Sequence, residues 1–184
     1  MSFFSGQCLV AMPGATDERF DKTVVYVCAH TAEGAMGLVI NRRADDFSFP
    51  ALLSQLNIDV SDFAKTVPVY AGGPVDQARG FVLHSSDYTG KTTLLVGTQT
   101  SLTVTTEVLR DIASGSGPKD FLVILGYAGW DAGQLEREIK ENAWLPVKTT
   151  PEILFDAKAE NKWDSAVKSL GIDPLMLSSV QGKA

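Results

Sequence analysis

The segment from Phe20 to Arg42 constrains the fold more than any other part of this sequence, because two apolar runs flank a short loop that contains glycine. Each run has the length of a β-strand, and the loop is short enough to join neighbouring strands as a hairpin. Strands joined in this way pair antiparallel. The segment therefore predicts a sheet built from local antiparallel pairs and not from alternating parallel units.

Further strand-sized apolar runs, each bounded by turn residues, recur along the chain and predict about seven strands. They cover residues 8–12, 23–30, 36–41, 67–71, 80–84, 93–96 and 121–126. Helical spacing of apolar residues predicts helices after Pro50 and over residues 104–112, 131–142 and 150–171. Because strands and helices do not alternate strictly, the expected fold class is α+β.

Size and charge limit the number of domains and the kind of partner. The chain has 184 residues, of which 45% are hydrophobic and 21% charged, which predicts a single domain over residues 1–184. Acidic residues outnumber basic ones by 22 to 16, so the formal net charge is −6, and the largest basic group is the pair Arg42 and Arg43. The electrostatic field of such an acidic protein repels phosphates, so we expect no direct nucleic-acid binding.

The sequence also bears on location. Each apolar run is shorter than the roughly 20 residues that a membrane helix requires, so we expect no membrane association. The N-terminal stretch FFSGQCLVAMPGA has no basic residue before it, and we interpret it as a first strand and turn instead of a secretory signal. Cys8 and Cys28 are too few for a disulfide framework and favour a reducing compartment. We predict a cytoplasmic location.

Cysteine and histidine side chains raise the possibility of metal binding or nucleophilic catalysis. Alternation along the strand at residues 23–30 predicts that Cys28 and His30 share one face. With Cys8 and His84 they have the donor types of a Cys2His2 zinc site, and a thiol beside a histidine has those of a nucleophile pair. However, Cys-x-His is not a usual ligand spacing, and no orienting third residue is recognisable. We favour structural roles, with no metal and no cofactor.

The segment SDYTGKTT, residues 86–93, contains the GKT of a phosphate-binding P-loop. Ser85 occupies the position of the first glycine in that pattern. A P-loop is also followed by a helix, whereas TTLLVG predicts a strand. We therefore predict a surface turn.

Candidate ligand-binding residues lie in glycine-rich motifs. Gly72 and Gly73 of GGPV allow either a tight turn or the close approach of a ligand to the backbone. Arg79 and His84 border the following strand, and an arginine and a histidine near exposed amides can bind a carboxylate or phosphate. Strand alternation suggests that these four residues and His30 converge at one end of the sheet, where they bind a small anionic ligand.

Three further candidates complete this set. Tyr127 and Trp130 belong to LGYAGW, and Asn41 lies in GAMGLVINR. Aromatic residues beside an amphipathic helix usually pack that helix on a sheet, and ligand stacking is their less common role.

Seven motifs, in order, resemble the YqgE/AlgH family, also called UPF0301 or DUF179: AMPG, VVYVCAH, GAMGLVINR, GGPV, RGFVLH, LGYAGW and QLEREIKENAWL. The similarity extends from about residue 7 to the end of the chain. It implies a single-domain α+β fold with a mixed, largely antiparallel, partly barrel-like sheet flanked by helices, in a bacterial cytoplasmic protein. Some members carry the label of transcriptional regulator, which implies little mechanism.

Three classes of function follow, in order of preference. The first is a non-catalytic regulatory module that binds a small ligand or a protein partner. The second is an enzyme that acts on a small anionic or nucleotide-like substrate through Arg79, His30 and His84. The third, a direct DNA-binding regulator, requires a basic helix or stripe that this acidic chain does not offer.

Overall fold

The structure, a computed structural model, describes residues 3–15 and 17–178. The described residues form two compact units. The terminal unit comprises the chain up to Arg42 together with the chain from Ala128 onward, and the internal unit comprises Arg43–Tyr127.

Nine strands and five α-helices occur in the described part of the chain. The strands are β1 (Cys8–Ala11), β2 (Val24–Thr31), β3 (Gly34–Val39), β4 (Val69–Ala71), β5 (Val75–Ser85), β6 (Leu94–Leu95), β7 (Thr100–Thr103), β8 (Phe121–Asp131) and β9 (Trp144–Val147). The helices are α1 (Phe49–Gln55), α2 (Thr106–Ser114), α3 (Gln134–Lys140), α4 (Lys162–Ser169) and α5 (Pro174–Ser178). Across residues 3–15 and 17–178, no helix is long and apolar enough to cross a membrane.

In the terminal unit the strand order is the end of β8 (residues 128–131), β3, β2, β1, β9, and every neighbouring pair is antiparallel. Its core contains Leu9, Val25, Val27, Trp144 and, from α3, Leu135. The loop predicted between the first long strands is the β2–β3 connection at residues 32–33, and the glycine next to it, Gly34, begins β3. These contacts confirm the antiparallel pairing that the segment from Phe20 to Arg42 predicts.

The internal unit has the strand order β6, β7, β5, β8, all antiparallel, and β4 lies parallel to β8, which makes the sheet mixed. The helices α1 and α2 cover one face of this sheet. Phe49 and Leu53 of α1 and Ile112 of α2 pack with Val82 and Val123 of the strands. The predicted α+β class with a largely antiparallel, mixed sheet is confirmed.

A bulge in β2 corrects one prediction. Val27 pairs with Gly37 and Ala29 pairs with Met36, so Cys28 is the extra residue. The bulge turns His30 to the face of Val27, because paired residues share a face and His30 pairs with Ala35. The prediction that Cys28 and His30 share a face by simple alternation was therefore wrong.

The last predicted helix is also interrupted. A π-helical turn covers Glu152–Asp156, the backbone of Ala157 and Lys158 is extended, and α4 begins only at Lys162. The ammonium of Lys162 donates to the carbonyl of Leu154, which joins the π-helical turn to α4. With a 3-10 turn at Ala159–Asn161 directly before α4, the segment at 150–171 is three short helical pieces and not one helix.

Candidate functional site

The internal unit contains an open cavity of about 200 Å³ between α1, the start of α2 and the sheet. Its walls are mainly aliphatic and comprise Leu52, Leu56, Val82, Leu109, Val123 and Leu125. A largely apolar concave surface with a few polar groups is the usual composition of a small-molecule site. The cavity is therefore the candidate site of the internal unit.

Two small residues of β5, Ala78 and Gly80, leave the space that forms this cavity. A Cβ on Gly80 would have one described heavy atom within 4 Å, the Cδ2 of Leu125 at 3.7 Å. Gly80 pairs with Leu125 and Val82 pairs with Thr103, so all four side-chain positions share the face that the helices cover. A larger residue at position 80 would fill the cavity without displacing backbone.

The polar part of the wall consists of Thr103, Thr105 and Thr106. Thr105 is the N-cap residue of α2, but its side chain makes no capping hydrogen bond. The hydroxyl oxygen of Thr105 is buried and has no hydrogen-bond partner among the described residues. Each described residue that lines the cavity is uncharged.

A chain of hydrogen bonds connects this wall to the segment that contains GKT. His84 Nδ1 lies 2.7 Å from the carbonyl of Ser85, so Nδ1 donates and Nε2 accepts from the Thr103 hydroxyl at 2.8 Å. The Thr103 hydroxyl is 2.7 Å from that of Thr93, which accepts from the amide of Gly90 at 2.7 Å. We call these four residues, His84, Thr103, Thr93 and Gly90, the threonine relay.

The surroundings of His84 keep its imidazole neutral. Its side chain is fully buried in β5, and burial lowers the pKa of His84, although the Ser85 carbonyl and Asp87 act in the opposite direction. The ring of Tyr88 lies edge-on to it at 5.5 Å, and the Tyr88 hydroxyl donates to Asp111 at 2.6 Å. Burial and the Asp111 carboxylate raise the pKa of Tyr88 to about 12.

The segment at 86–93 forms turns between β5 and β6, as the sequence predicts. Its start is fixed by Asp87, whose carboxylate accepts from the hydroxyl of Ser85 and from the amide of Lys119. The Ser85 hydroxyl is the main reason that the pKa of Asp87 is lowered. No helix follows Thr93 directly in the described chain, because β6 begins at Leu94.

The predicted glycines Gly72 and Gly73 have backbone roles. Gly72 donates its amide to the carbonyl of Leu125 at 2.7 Å, and a Cβ there would lie 2.3 Å from the carbonyl oxygen of Gly126. Gly73 has φ +153°, which side-chain-bearing residues rarely adopt. The backbone of Gly72 is therefore in close contact with β8.

Arg79 and Tyr127 are linked through Phe81. The guanidinium of Arg79 lies 5.5 Å from the centre of the Phe81 ring, and the Tyr127 ring meets Phe81 edge-on at 5.9 Å. Phe81 is also one of the residues that line the cavity. Arg79 is exposed, so water screens its charge.

His30 of the terminal unit is buried and held by neighbouring residues. Its Nδ1 accepts from the amide of Phe4 at 3.1 Å, so Nε2 carries the proton and faces the Glu136 carboxylate at 3.1 Å. The ring of Phe4 stacks on the imidazole at 5.7 Å. The carboxylate's own backbone amide is the main reason that the pKa of Glu136 is lowered, and His30 adds to the effect.

Trp130 and Asn41 also make structural contacts in the terminal unit. The indole of Trp130 donates to Glu138 at 2.9 Å, and that of Trp144 donates to the same oxygen at 2.9 Å. Asn41 accepts from the amide of Val24 at 2.9 Å and donates to the carbonyl of Lys22 at 2.8 Å. These bonds fix α3 on the sheet and the turn before β2.

The structure thus brings Arg79 beside Phe81 and Tyr127, and it brings His84 to the cavity wall through Thr103. Convergence of these residues with His30 stays a prediction. Sequence reasoning missed the cavity-lining threonines, although Gly80 within an apolar strand gave a signal, since glycine inside a strand often marks close approach of another group.

The thiols are free, and burial raises the pKa of Cys8 to about 11 and that of Cys28 to about 12. Within residues 3–15 and 17–178, no group of three or more His, Cys, Asp or Glu side chains is placed to hold a metal ion.

The fold and the site define a class of α+β protein with a small apolar cavity beside a mixed sheet. A family model described as AlgH-like (DUF179) matches residues 8–175, which is most of the chain. The chain therefore belongs to the AlgH-like family, and the resemblance predicted from the seven motifs is confirmed.

Relatives support this assignment over the whole length. A UPF0301 protein of Rhodospirillum rubrum is 51% identical over 182 residues, covering 99% of this chain and 95% of the relative. One from Bradyrhizobium sp. is 50% identical over 190 residues, covering 99% and 88%.

Two solved structures are similar. The solution structure of the AlgH protein from Pseudomonas aeruginosa has a TM-score of 0.82 and 39% identity, covering 100% of this chain and 95% of that one. A crystal structure of a protein from Corynebacterium diphtheriae has a TM-score of 0.74 at 18% identity, covering 96% and 91%, and shows a shared fold alone.

Proposed function

We propose that this protein is a non-catalytic regulatory module whose small ligand binds in the cavity of the internal unit. The observation that carries the proposal is the cavity itself, which combines aliphatic walls with three threonines. Burial of apolar ligand surface supplies the affinity, and a small number of polar groups fixes the orientation.

The threonine relay gives the ligand a route to alter the surface. Thr103 lines the cavity and holds His84 and Thr93 by hydrogen bonds, so a ligand that contacts Thr103 competes for those bonds. Thr93 leads directly into β6, where Leu94 and Leu95 are 63% and 69% exposed. A change in this segment would alter a surface that a protein partner can recognise.

The bonding of His84 favours binding over catalysis. A general base needs a ring nitrogen available to the substrate. His84 Nδ1 is directed at the carbonyl of Ser85, and Nε2 accepts from Thr103. The alternative, an enzyme acting on a small anionic or nucleotide-like substrate, would first have to break one of these bonds.

We further propose a cytoplasmic location for this regulator, which the free thiols of Cys8 and Cys28 support. The label of transcriptional regulator then corresponds to indirect control through a ligand and a partner, because the net charge of −6 disfavours contact with DNA.

A thermal-shift panel of neutral small molecules, carboxylates, phosphates and nucleotides tests the proposal with three proteins: the parent, Gly80→Val and Arg79→Ala. We expect at least one compound to raise the Tm of the parent and of Arg79→Ala but not of Gly80→Val, which fills the cavity. If every compound that raises the Tm of the parent also raises the Tm of Gly80→Val, binding in the cavity is contradicted. The same holds if no compound raises the Tm of Arg79→Ala.

A further inference from the structure

We infer that the ligand of this cavity is a compact, uncharged and mainly apolar molecule with a single hydrogen-bonding group. This inference rests on the proposed function and specifies the chemical class that the cavity accepts. It replaces the small anion expected from Arg79 with a neutral compound recognised by aliphatic contact and by threonine hydroxyls.

Volume limits the size of the ligand. The cavity has about 200 Å³, which is below the roughly 300–1,000 Å³ of sites for drug-sized molecules. A dry apolar cavity of about 150 Å³ in another protein is large enough for benzene. The cavity described here therefore encloses one six-membered ring or a branched chain with a small polar substituent, and it is too small to enclose a nucleotide.

Charge limits the chemistry of the ligand. A carboxylate or ammonium that enters an apolar site loses hydration, and an opposite charge must compensate for that loss. The described residues that line the cavity carry no such charge, and the guanidinium of Arg79, over the ring of Phe81, is exposed to water. The first turn of α2, whose positive end would favour an anion, already contains the carboxylate of Glu107. A neutral ligand avoids the loss.

The hydroxyl of Thr105 selects for one polar group on the ligand. Its oxygen has almost no solvent-accessible area and no hydrogen-bond partner in the part of the chain that the structure describes, although the residue lines the cavity. A rotation of the Thr105 side chain must therefore expose the hydroxyl before a ligand can bond to it. A buried hydroxyl without a partner is costly, so a ligand that supplies a hydroxyl or carbonyl group gains a bond that the free protein lacks. A purely apolar ligand has no such group and leaves the Thr105 hydroxyl without a partner among the described residues.

A matched series of four compounds with one ring tests the inference: benzyl alcohol, toluene, benzoate and benzylammonium at pH 7. Amide-shift titrations of ¹⁵N-labelled protein report binding at Gly80, Thr103 and Thr105. We expect benzyl alcohol to bind most tightly, toluene several-fold more weakly, and both ions at least tenfold more weakly than benzyl alcohol.

Variants separate the parts of the inference. Gly80→Val, and Ala78→Leu as a second way to fill the cavity, should abolish the benzyl alcohol shifts. Thr105→Val should reduce the affinity for benzyl alcohol to that for toluene and leave toluene unchanged, and Arg79→Ala should change neither.

The outcomes distinguish this inference from the proposed function. If benzoate or benzylammonium binds at these amides as tightly as benzyl alcohol, the ligand class is wrong while the site stands. If no compound of the series shifts these amides, the ligand class is also wrong, and the panel with Gly80→Val decides the site separately. If Thr105→Val binds benzyl alcohol as the parent does, the role of the hydroxyl is overturned.

Discussion

At the scale of single residues, two glycines in separate motifs have opposite consequences. A Cβ on Gly37 would lie 2.6 Å from Val25 Cγ1 and 3.2 Å from Trp130 Cζ3, so this glycine makes room for the indole that covers the sheet. A Cβ on Gly80 would instead meet Leu125 Cδ2 at 3.7 Å, an ordinary contact distance. The same residue type packs a tryptophan in the terminal unit and leaves a cavity in the internal one.

Thr105 gives a prediction about stability. Because its buried hydroxyl makes no bond with the described residues and does not cap α2, an isosteric apolar residue removes an unsatisfied group at little cost. We expect Thr105→Val to raise the free energy of unfolding by about 1 kcal/mol in a urea titration. Thr106→Val, at the next position, serves as the matched control. A loss of stability in Thr105→Val alone would show that the hydroxyl has a partner.

His84 gives a prediction about pH. Burial lowers the pKa of His84 in the folded protein below its ordinary value of 6.5, so the unfolded chain binds a proton first as the pH falls. The stability that neutral His84 contributes is complete above pH 6.5 and is lost as the pH falls toward the folded pKa. The slope can reach about 1.4 kcal/mol per pH unit.

Urea titrations of the parent and of His84→Gln between pH 5.5 and 7.5 measure this dependence. The variant retains His30, the other histidine of the chain, so the difference between the two proteins isolates His84. If the free energy of unfolding changes with pH equally in the two proteins, the lowered pKa of His84 is refuted.

At the scale of elements, Trp163 is one of the buried residues that attach α4 to the terminal sheet. This side chain is 3% exposed, and its indole donates to the carbonyl of Ala11 at 3.0 Å. We expect Trp163→Ala to lower the free energy of unfolding by about 3–5 kcal/mol, as large truncations in a core do. Asp164→Ala, an exposed neighbour on the same helix, should change it by less than about 0.5 kcal/mol. Equal effects of the two substitutions would place Trp163 outside the core.

The elements also show how far sequence patterns determine this fold. Hydrophobic periodicity predicted β2, β3 and α2 because each presents an apolar face to one core. It missed β7, whose sequence TSLT has a single aliphatic residue, and β9, whose Pro146 reduces the strand signal. It placed His30 on the wrong face because a bulge arises from tertiary pairing and not from local sequence.

The candidate site was predictable only in part. His84 and the RGFVLH motif pointed to the correct strand, but the cavity depends on which residues of α1 and α2 face Gly80. That arrangement results from tertiary packing, and no local spacing of residues in the sequence predicts it. Arg79 was a candidate because of its charge, whereas in the structure its guanidinium lies over the ring of Phe81.

At the scale of the whole molecule, the charge balance gives a prediction about DNA. Specific DNA binding depends on several Lys or Arg contacts with phosphates, and this chain has a formal net charge of −6. We expect no association with duplex DNA at low micromolar protein in fluorescence anisotropy over a range of salt. Sub-micromolar binding that weakens steeply with added salt would contradict the indirect role.

The most direct test is a crystal structure of the protein with the compound that gives the largest Gly80-dependent shift in Tm. Our proposal predicts electron density for the compound between Leu52, Gly80 and Leu109, within contact of Thr103 and Thr105. Density for the compound over Arg79 and Phe81, with the cavity between α1 and α2 empty of it, would contradict the proposal.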